Sequence, residues 1–179
     1  MNDPIAVLKN AELLYSPEQV QGAIQKIAEE IRQTLKDSDP LVLSIMGGAV
    51  VFSGQLLPLL DFPLHFDFVK ASRYHSQTQG QQLVWKVMPG DDVKGRTVLL
   101  LDDILDEGIT LAAVRDKCLE MGASRVLVAV LTEKLLDHPK PIQADYVGLQ
   151  VPNRYVFGCG MDVNERWRNL PAIYALKQS

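Results

Sequence analysis

Apolar residues in this chain follow two alternating rhythms. Behind Ser16-Pro17-Glu18-Gln19, the positions Val20, Ile24, Ile27, Ile31 and Leu35 recur at helical spacing along one face. A serine cap, a proline at the first helical position and a glutamine at the capping-box place start that helix, and Asp37-Ser38-Asp39-Pro40 ends it. Short apolar runs at 41–46, 83–88, 98–101 and 125–132 read as strands, and 64–69 largely alternates as a half-buried strand does. Helices are expected at about 49–60 and at 110–121, the latter with Leu111, Val114, Cys118 and Met121 inward and Gly122 as its cap. Strands alternating with helices argue a parallel sheet wound with helices on both faces. Ligands of such sheets sit beyond the carboxyl ends of the strands, where Gly47, Asp102 and Lys134 fall.

Residues 1–15 are weakly patterned and read as an arm or a short strand, and 140–179 has shorter apolar runs and more turns. The expectation is an α/β fold, a mostly parallel twisted sheet flanked by helices, in one domain over 1–179. Its core spans about 16–135, and a small hood lobe is built from the N-terminal segment and about 140–179.

The stretch from Val98 to Leu111 carries the clearest chemistry. Val98-Leu99-Leu100-Leu101 stops at two carboxylates, Asp102 and Asp103, followed by Asp106-Glu107-Gly108 and a helix opening near Thr110. Backbone N–H groups of Glu107, Gly108, Ile109 and Thr110 can point at a phosphate there, with the helix dipole favouring its charge. The Thr110 hydroxyl adds a donor, and the two aspartates suit hydrated Mg²⁺ or a pair of sugar hydroxyls. A phosphorylated sugar carrying a metal satisfies both halves. Gly47-Gly48 ends a second strand, and is either another anion-binding turn or simply a tight one.

Other features narrow the picture. The polar stretch 71–82 reads as a lid or an exposed hairpin tip. His65 and Asp67 share a strand face, which reads as solvated rather than metal-binding. Gly90 to Thr97 mimics a P-loop with Arg96 for the obligatory lysine, but precedes a strand, so its context fails. His65, His75 and His138 are the only histidines, and there is no G-x-S-x-G context for a hydrolase.

The chain has 179 residues, 47% hydrophobic and 22% charged, so a conventional core is available. A formal net charge of −4 disfavours nucleic-acid binding through a bulk basic field. Cys118 and Cys159 read as buried thiols of a reducing compartment. Met1-Asn2-Asp3-Pro4 does not open a signal peptide, and the longest apolar stretch, 126–131, is far too short to span a bilayer. A cytoplasmic protein without membrane contact is expected.

The order in 98–110, an apolar run, two acids, two residues, then acid-x-Gly-x-Thr, resembles the phosphoribosyl pyrophosphate signature of the type I phosphoribosyltransferases. The resemblance runs from the first helix to Arg168 and is strongest to the hypoxanthine-guanine enzymes. It implies that family's fold and a purine salvage reaction. Phosphoribosyl pyrophosphate, with Mg²⁺, would donate its 5-phosphoribosyl group to hypoxanthine or guanine, giving IMP or GMP and pyrophosphate. Asp106 is implied as the acid/base group that accepts the purine N7 proton. Asp102 and Asp103 would hold ribose hydroxyls or Mg²⁺, and Glu107 to Thr110 the 5′-phosphate, with the Glu107 side chain turned away. Met46, Gly47 and Gly48 match the pyrophosphate loop, where a strained or cis peptide exposes N–H groups. Many relatives carry Lys or Arg at Met46, so only the backbone role carries over there. Lys134 matches the donor to the purine 6-oxo oxygen, Tyr155 the stacking aromatic and Val156 the backbone contact at the 2-position. Asp162 matches a metal- and guanine-side carboxylate, Arg168 the pyrophosphate-side arginine, and Ser72 and Tyr74, with Arg73 inserted, the lid pair. A homodimer or homotetramer is implied as well. The rival readings are a regulatory phosphoribosyltransferase-like protein that binds RNA or nucleotides, and an enzyme preferring xanthine.

Overall fold

The structure is a computed structural model and describes residues 3–74 and 82–177. A six-stranded sheet of order β4-β3-β2-β5-β6-β7 forms the centre. Its strands are β2 (Leu41–Ile45), β3 (His65–Tyr74), β4 (Gln82–Val87), β5 (Thr97–Leu105), β6 (Arg125–Lys134) and β7 (Tyr146–Val151). Only β3 and β4 pair antiparallel; the other neighbours run parallel.

Strand β5 shows why an unbroken apolar run was needed. Leu99 and Leu101 face the helices α2 (Pro17–Leu35) and α3 (Val50–Leu56), while Val98 and Leu100 face α4 (Ile109–Glu120). All four are fully buried, each worth about 1.5–3 kcal/mol of apolar transfer for a Val or Leu side chain. Helix α2 buries Val20, Ile24, Ile27, Ile31 and Leu35, and its start is a full capping box. There the Gln19 N–H donates to Ser16 Oγ at 3.4 Å, and the Ser16 N–H donates to Gln19 Oε1 at 2.9 Å. Gly122 follows α4 at φ 92°, in the left-handed conformation that closes many helices.

The hood is a three-stranded antiparallel sheet of order β1-β9-β8, from β1 (Glu12–Tyr15), β8 (Val156–Phe157) and β9 (Ile173–Ala175). Two features differ from the sequence expectation. The arm before β1 contains a short helix, α1 (Pro4–Lys9), whose cap Asp3 accepts the Ile5 N–H at 3.0 Å. The segment expected wholly in the hood also contributes β7, which extends the main sheet. Tyr146 and Val151 bury into the α2 side, and Gly148 lies so close to the Leu131 carbonyl and Ile27 that no side chain fits there. His65 is exposed, 3.6 Å from Asp39, and Asp67 is half-buried, but Phe66 and Phe68 between them and beyond are exposed as well, so this part of β3 does not bury the alternate residues that its pattern suggested. The candidate lid lies largely outside the described residues: Ser72 and Tyr74 belong to the β3 backbone, but their side chains and 75–81 are not described.

Candidate active site

The carboxyl ends of β5 and β6 converge on two adjoining cavities. One, of about 250 Å³, is lined by Asp103, Asp106, Lys134, Tyr155, Val156, Met161, Asp162 and Arg168. The other, of about 230 Å³, is lined by Asp102 and the loop from Asp106 to Leu111. Asp103, Ile104 and Asp106 border both.

The smaller cavity is made by a strand-to-helix turn. Gly108, at φ 77°, is the last residue before α4. Ala112 is the first to bond back into the helix, its N–H donating to the Gly108 carbonyl at 2.9 Å. The N–H groups that precede it at a helix start have no intrahelical acceptor and can serve an anion. Glu107 carries a carboxylate into this loop, and it faces His138 at 3.6 Å.

Asp102 and Asp103 form the floor between the cavities. The Asp103 N–H donates to Asp102 Oδ1 at 3.0 Å, and the Asp103 carbonyl accepts the buried Thr132 hydroxyl at 3.0 Å. Burial, then the neighbouring Asp103 charge, holds Asp102 well above the usual carboxylate range. Burial also raises Asp103, less so because its hydrogen bond to Asp102 and the Arg168 charge oppose it. Two adjacent aspartates at the end of a buried strand, bordering a cavity, are an oxygen donor set that a hydrated divalent cation fits.

The larger cavity has an ion pair in its wall: Lys134 Nζ lies 2.7 Å from Asp106 Oδ2. Lys134 is largely buried at 12% exposure, whereas Asp106 is 40% exposed. Tyr155 is 53% exposed at the cavity rim, and Val156 is buried beneath it. Arg168 donates from Nη1 to the Gly160 carbonyl at 2.6 Å and from Nη2 to Asp162 Oδ1 at 2.6 Å.

Across the floor, the Met46–Gly47 peptide is cis, and Gly48 packs so tightly on the Asp103 carboxylate that a Cβ there would overlap it. Gly160 is equally close to the Gly48 carbonyl. Gly48, Asp103, Gly160 and Arg168 are thus one contiguous group, although they are far apart in sequence.

Asp162, expected as a metal ligand beside Asp102 and Asp103, is held by Arg168 and by the Glu165 N–H at 2.9 Å. Among the described residues no three His, Cys, Asp or Glu side chains gather as a metal site.

Other residues of the site escaped the sequence reading. Ile104 and Met161 line the cavity, and Lys140 donates to the Leu105 and Lys134 carbonyls at the strand ends. Apolar liners look like any core residue. A single lysine between Pro139 and Pro141 gives no motif to read.

Comparison with known proteins agrees with this geometry. The family model described as the phosphoribosyl transferase domain matches residues 11–166. A hypoxanthine-guanine phosphoribosyltransferase of Streptococcus pneumoniae is 33% identical over 168 residues, covering 93% of each chain. That of Bacillus subtilis is 32% identical over 167 residues with the same coverage. The solved hypoxanthine phosphoribosyltransferase of Staphylococcus aureus superposes with a TM-score of 0.86 at 26% identity, over 99% of this chain and 98% of that one. A hypoxanthine-guanine-xanthine phosphoribosyltransferase gives 0.79 at 29% identity, over 95% and 97%. The chain belongs to the phosphoribosyltransferase family.

Proposed function

We propose that this chain transfers the 5-phosphoribosyl group of phosphoribosyl pyrophosphate to hypoxanthine or guanine, releasing pyrophosphate and forming IMP or GMP. The observation that carries the reading is the Lys134–Asp106 pair on the wall of a cavity that adjoins the loop of Asp106 to Thr110. A donor-only lysine beside an acceptor carboxylate suits a ring edge with a carbonyl next to an N–H.

In this reading the N–H groups of Glu107 to Thr110 and the Thr110 hydroxyl hold the 5′-phosphate. A charge-assisted hydrogen bond contributes about 1.5–3 kcal/mol, so several donors suffice without a cation. Lys134 donates to the 6-oxo oxygen, Tyr155 stacks on the ring, Val156 meets its 2-position and Asp162 lies on that side. Asp106 takes the N7 proton as the bond from the ring nitrogen to the anomeric carbon forms and the bond to pyrophosphate breaks, through a loose, oxocarbenium-like displacement. The backbone of Met46, Gly47 and Gly48, with Arg168, receives the pyrophosphate. Asp102 and Asp103 hold the ribose hydroxyls or Mg²⁺, which when bound neutralises the charge developing on the leaving pyrophosphate. Ser72 and Tyr74 belong to the lid that excludes water.

No helix among the described residues is long and apolar enough to cross a membrane. A homodimer or homotetramer is the expected state, and exposed Phe66, Phe68 and Met88 supply apolar surface for it.

The test is a steady-state assay with phosphoribosyl pyrophosphate and Mg²⁺ against hypoxanthine, guanine, xanthine, adenine and uracil. Turnover of hypoxanthine and guanine with adenine inert supports the reading. Xanthine as the best substrate would move the assignment to the xanthine enzymes. No turnover of any base, with the donor still bound, would make the chain a regulatory relative.

A further inference from the structure

The β5–β6 ladder ends at the pair Leu105–Glu133, and one residue further each chain carries a group that faces the purine cavity: Asp106 on one side, Lys134 on the other. No ladder bond joins the chains at that point. The ammonium of Lys140 takes its place. Its Nζ donates to the Leu105 carbonyl at 3.0 Å and to the Lys134 carbonyl at 2.6 Å, and it lies 3.4 Å from Glu133 Oε1. An ammonium has three donors, and here each has an acceptor. The side chain is 10% exposed, so these contacts are made out of water, where a charge requires partners and holds them firmly.

The segment that delivers Lys140 is itself stiff and close-packed. Pro139 and Pro141 flank it and fix their own φ angles. Ile142 then packs under the phosphate loop, so near Gly108 that a Cβ there would lie 3.0 Å from it.

We propose that Lys140 is a positioning residue for base transfer. Its ammonium sets the separation of the β5 and β6 ends, and so places Asp106 and Lys134 on neighbouring atoms of one purine edge. The inference rests on the function proposed above. It differs from a plain folding role in what it moves. A displacement of the two ends by a fraction of an ångström spoils the alignment of base and proton acceptor, while the phosphate loop, held by α4, keeps its donors. Misplacement on the order of 1 Å costs up to about a hundredfold in rate.

The experiment compares full-length wild type with Lys140→Met, Lys140→Arg and Glu133→Gln by melting temperature and by kcat and KM for each substrate. Lys140→Met is expected to lower kcat with hypoxanthine about 10- to 100-fold per folded molecule. KM for phosphoribosyl pyrophosphate should stay within about threefold, well under the tenfold that 1.4 kcal/mol represents. Lys140→Arg, which keeps charge and donors on a different stem, should fall between. Glu133→Gln, which leaves both carbonyl contacts in place, should stay near wild type. Should Lys140→Met fail to fold, the Arg variant carries the test, with reduced kcat at unchanged donor KM as the supporting result. Unaltered kcat in the folded Lys140 variants, or a loss carried by the donor KM, overturns the inference alone. So does a Glu133→Gln loss as large as that of Lys140→Met. Absence of wild-type turnover with every 6-oxopurine overturns both this inference and the function beneath it.

Discussion

Lys134 Nζ and Asp106 Oδ2 lie 2.7 Å apart, so the proposed reader of the base and the proposed acceptor of its proton neutralise each other when the cavity holds no base. A 6-oxopurine entering the cavity exchanges this ion pair for two hydrogen bonds to adjacent atoms of its ring. Asp106 is the more exposed partner and the freer to turn toward the ligand.

Replacing the acceptor tests its role directly. Asp106→Asn keeps the shape and removes the base, and general-base catalysis is worth about 10²- to 10⁴-fold. Turnover of hypoxanthine should therefore fall at least about a hundredfold. Calorimetry should find binding of phosphoribosyl pyrophosphate little changed, because the N–H donors of Glu107 to Thr110 are kept. Undiminished turnover would remove Asp106 from the chemistry.

Lys134→Met keeps the apolar stem and deletes the donor. A hydrogen bond to a charged group is worth about 1.5–3 kcal/mol, so kcat/KM for hypoxanthine should drop by roughly one to two orders of magnitude. The preference over adenine should shrink with it, since the surviving pocket no longer favours a carbonyl. A variant that loses rate equally on every base, with the preference intact, would argue against Lys134 as the reader.

The floor of the site makes a steric prediction. At Gly48 an added methyl would land on the buried Asp103 carboxylate, whereas at Gly47 nothing lies within 4 Å of the same methyl. Overpacking of a close-packed site costs about 1–3 kcal/mol. Gly48→Ala should lower the unfolding free energy by about that amount and reduce activity by forcing the Asp103 side chain aside. Gly47→Ala should leave thermal stability close to wild type. Equal melting curves for all three proteins would mean that Asp103 yields without cost.

The sequence was informative where a local rule dominates. Ser16-Pro17-Glu18-Gln19 capped α2 as its chemistry requires, and the strand at 98–101 was legible because burial on both faces needs an unbroken apolar run. The same logic was available at Asp3-Pro4, a cap followed by a first-turn proline, but α1 buries no residue and so leaves no periodic face to read. Strand β7 was obscured because its burial does not alternate: only its ends, Tyr146 and Val151, are buried, and Gly148 between them has no side chain to mark a face. Within the candidate site, the residues that follow one another in the motif line one cavity. What joins Arg168 to Asp162, or Lys140 to the strand ends, is tertiary contact, and sequence spacing carries no trace of it.

Cys118 and Cys159 are free and buried in the separate cores on opposite faces of the sheet, and burial pushes both thiols from 9.0 up to about 11. The sign of the consequence follows from proton binding. Between about pH 9 and pH 11 the unfolded chain has lost these protons while the folded chain keeps them, so stability falls as pH rises through that window. Below pH 9 both states hold the protons and the two thiols contribute no slope. Urea unfolding at intervals from pH 8 to pH 11 should therefore show a steeper alkaline loss for wild type than for the variant carrying both Cys118→Ala and Cys159→Ala. Every other side chain is common to the two proteins, so the comparison isolates the thiols. The same burial keeps the thiolate scarce, so iodoacetamide near pH 8 should label the native protein slowly and the urea-unfolded chain fast. Parallel pH profiles for the two proteins, or rapid labelling of the native state, would show that these thiols meet solvent in the folded molecule.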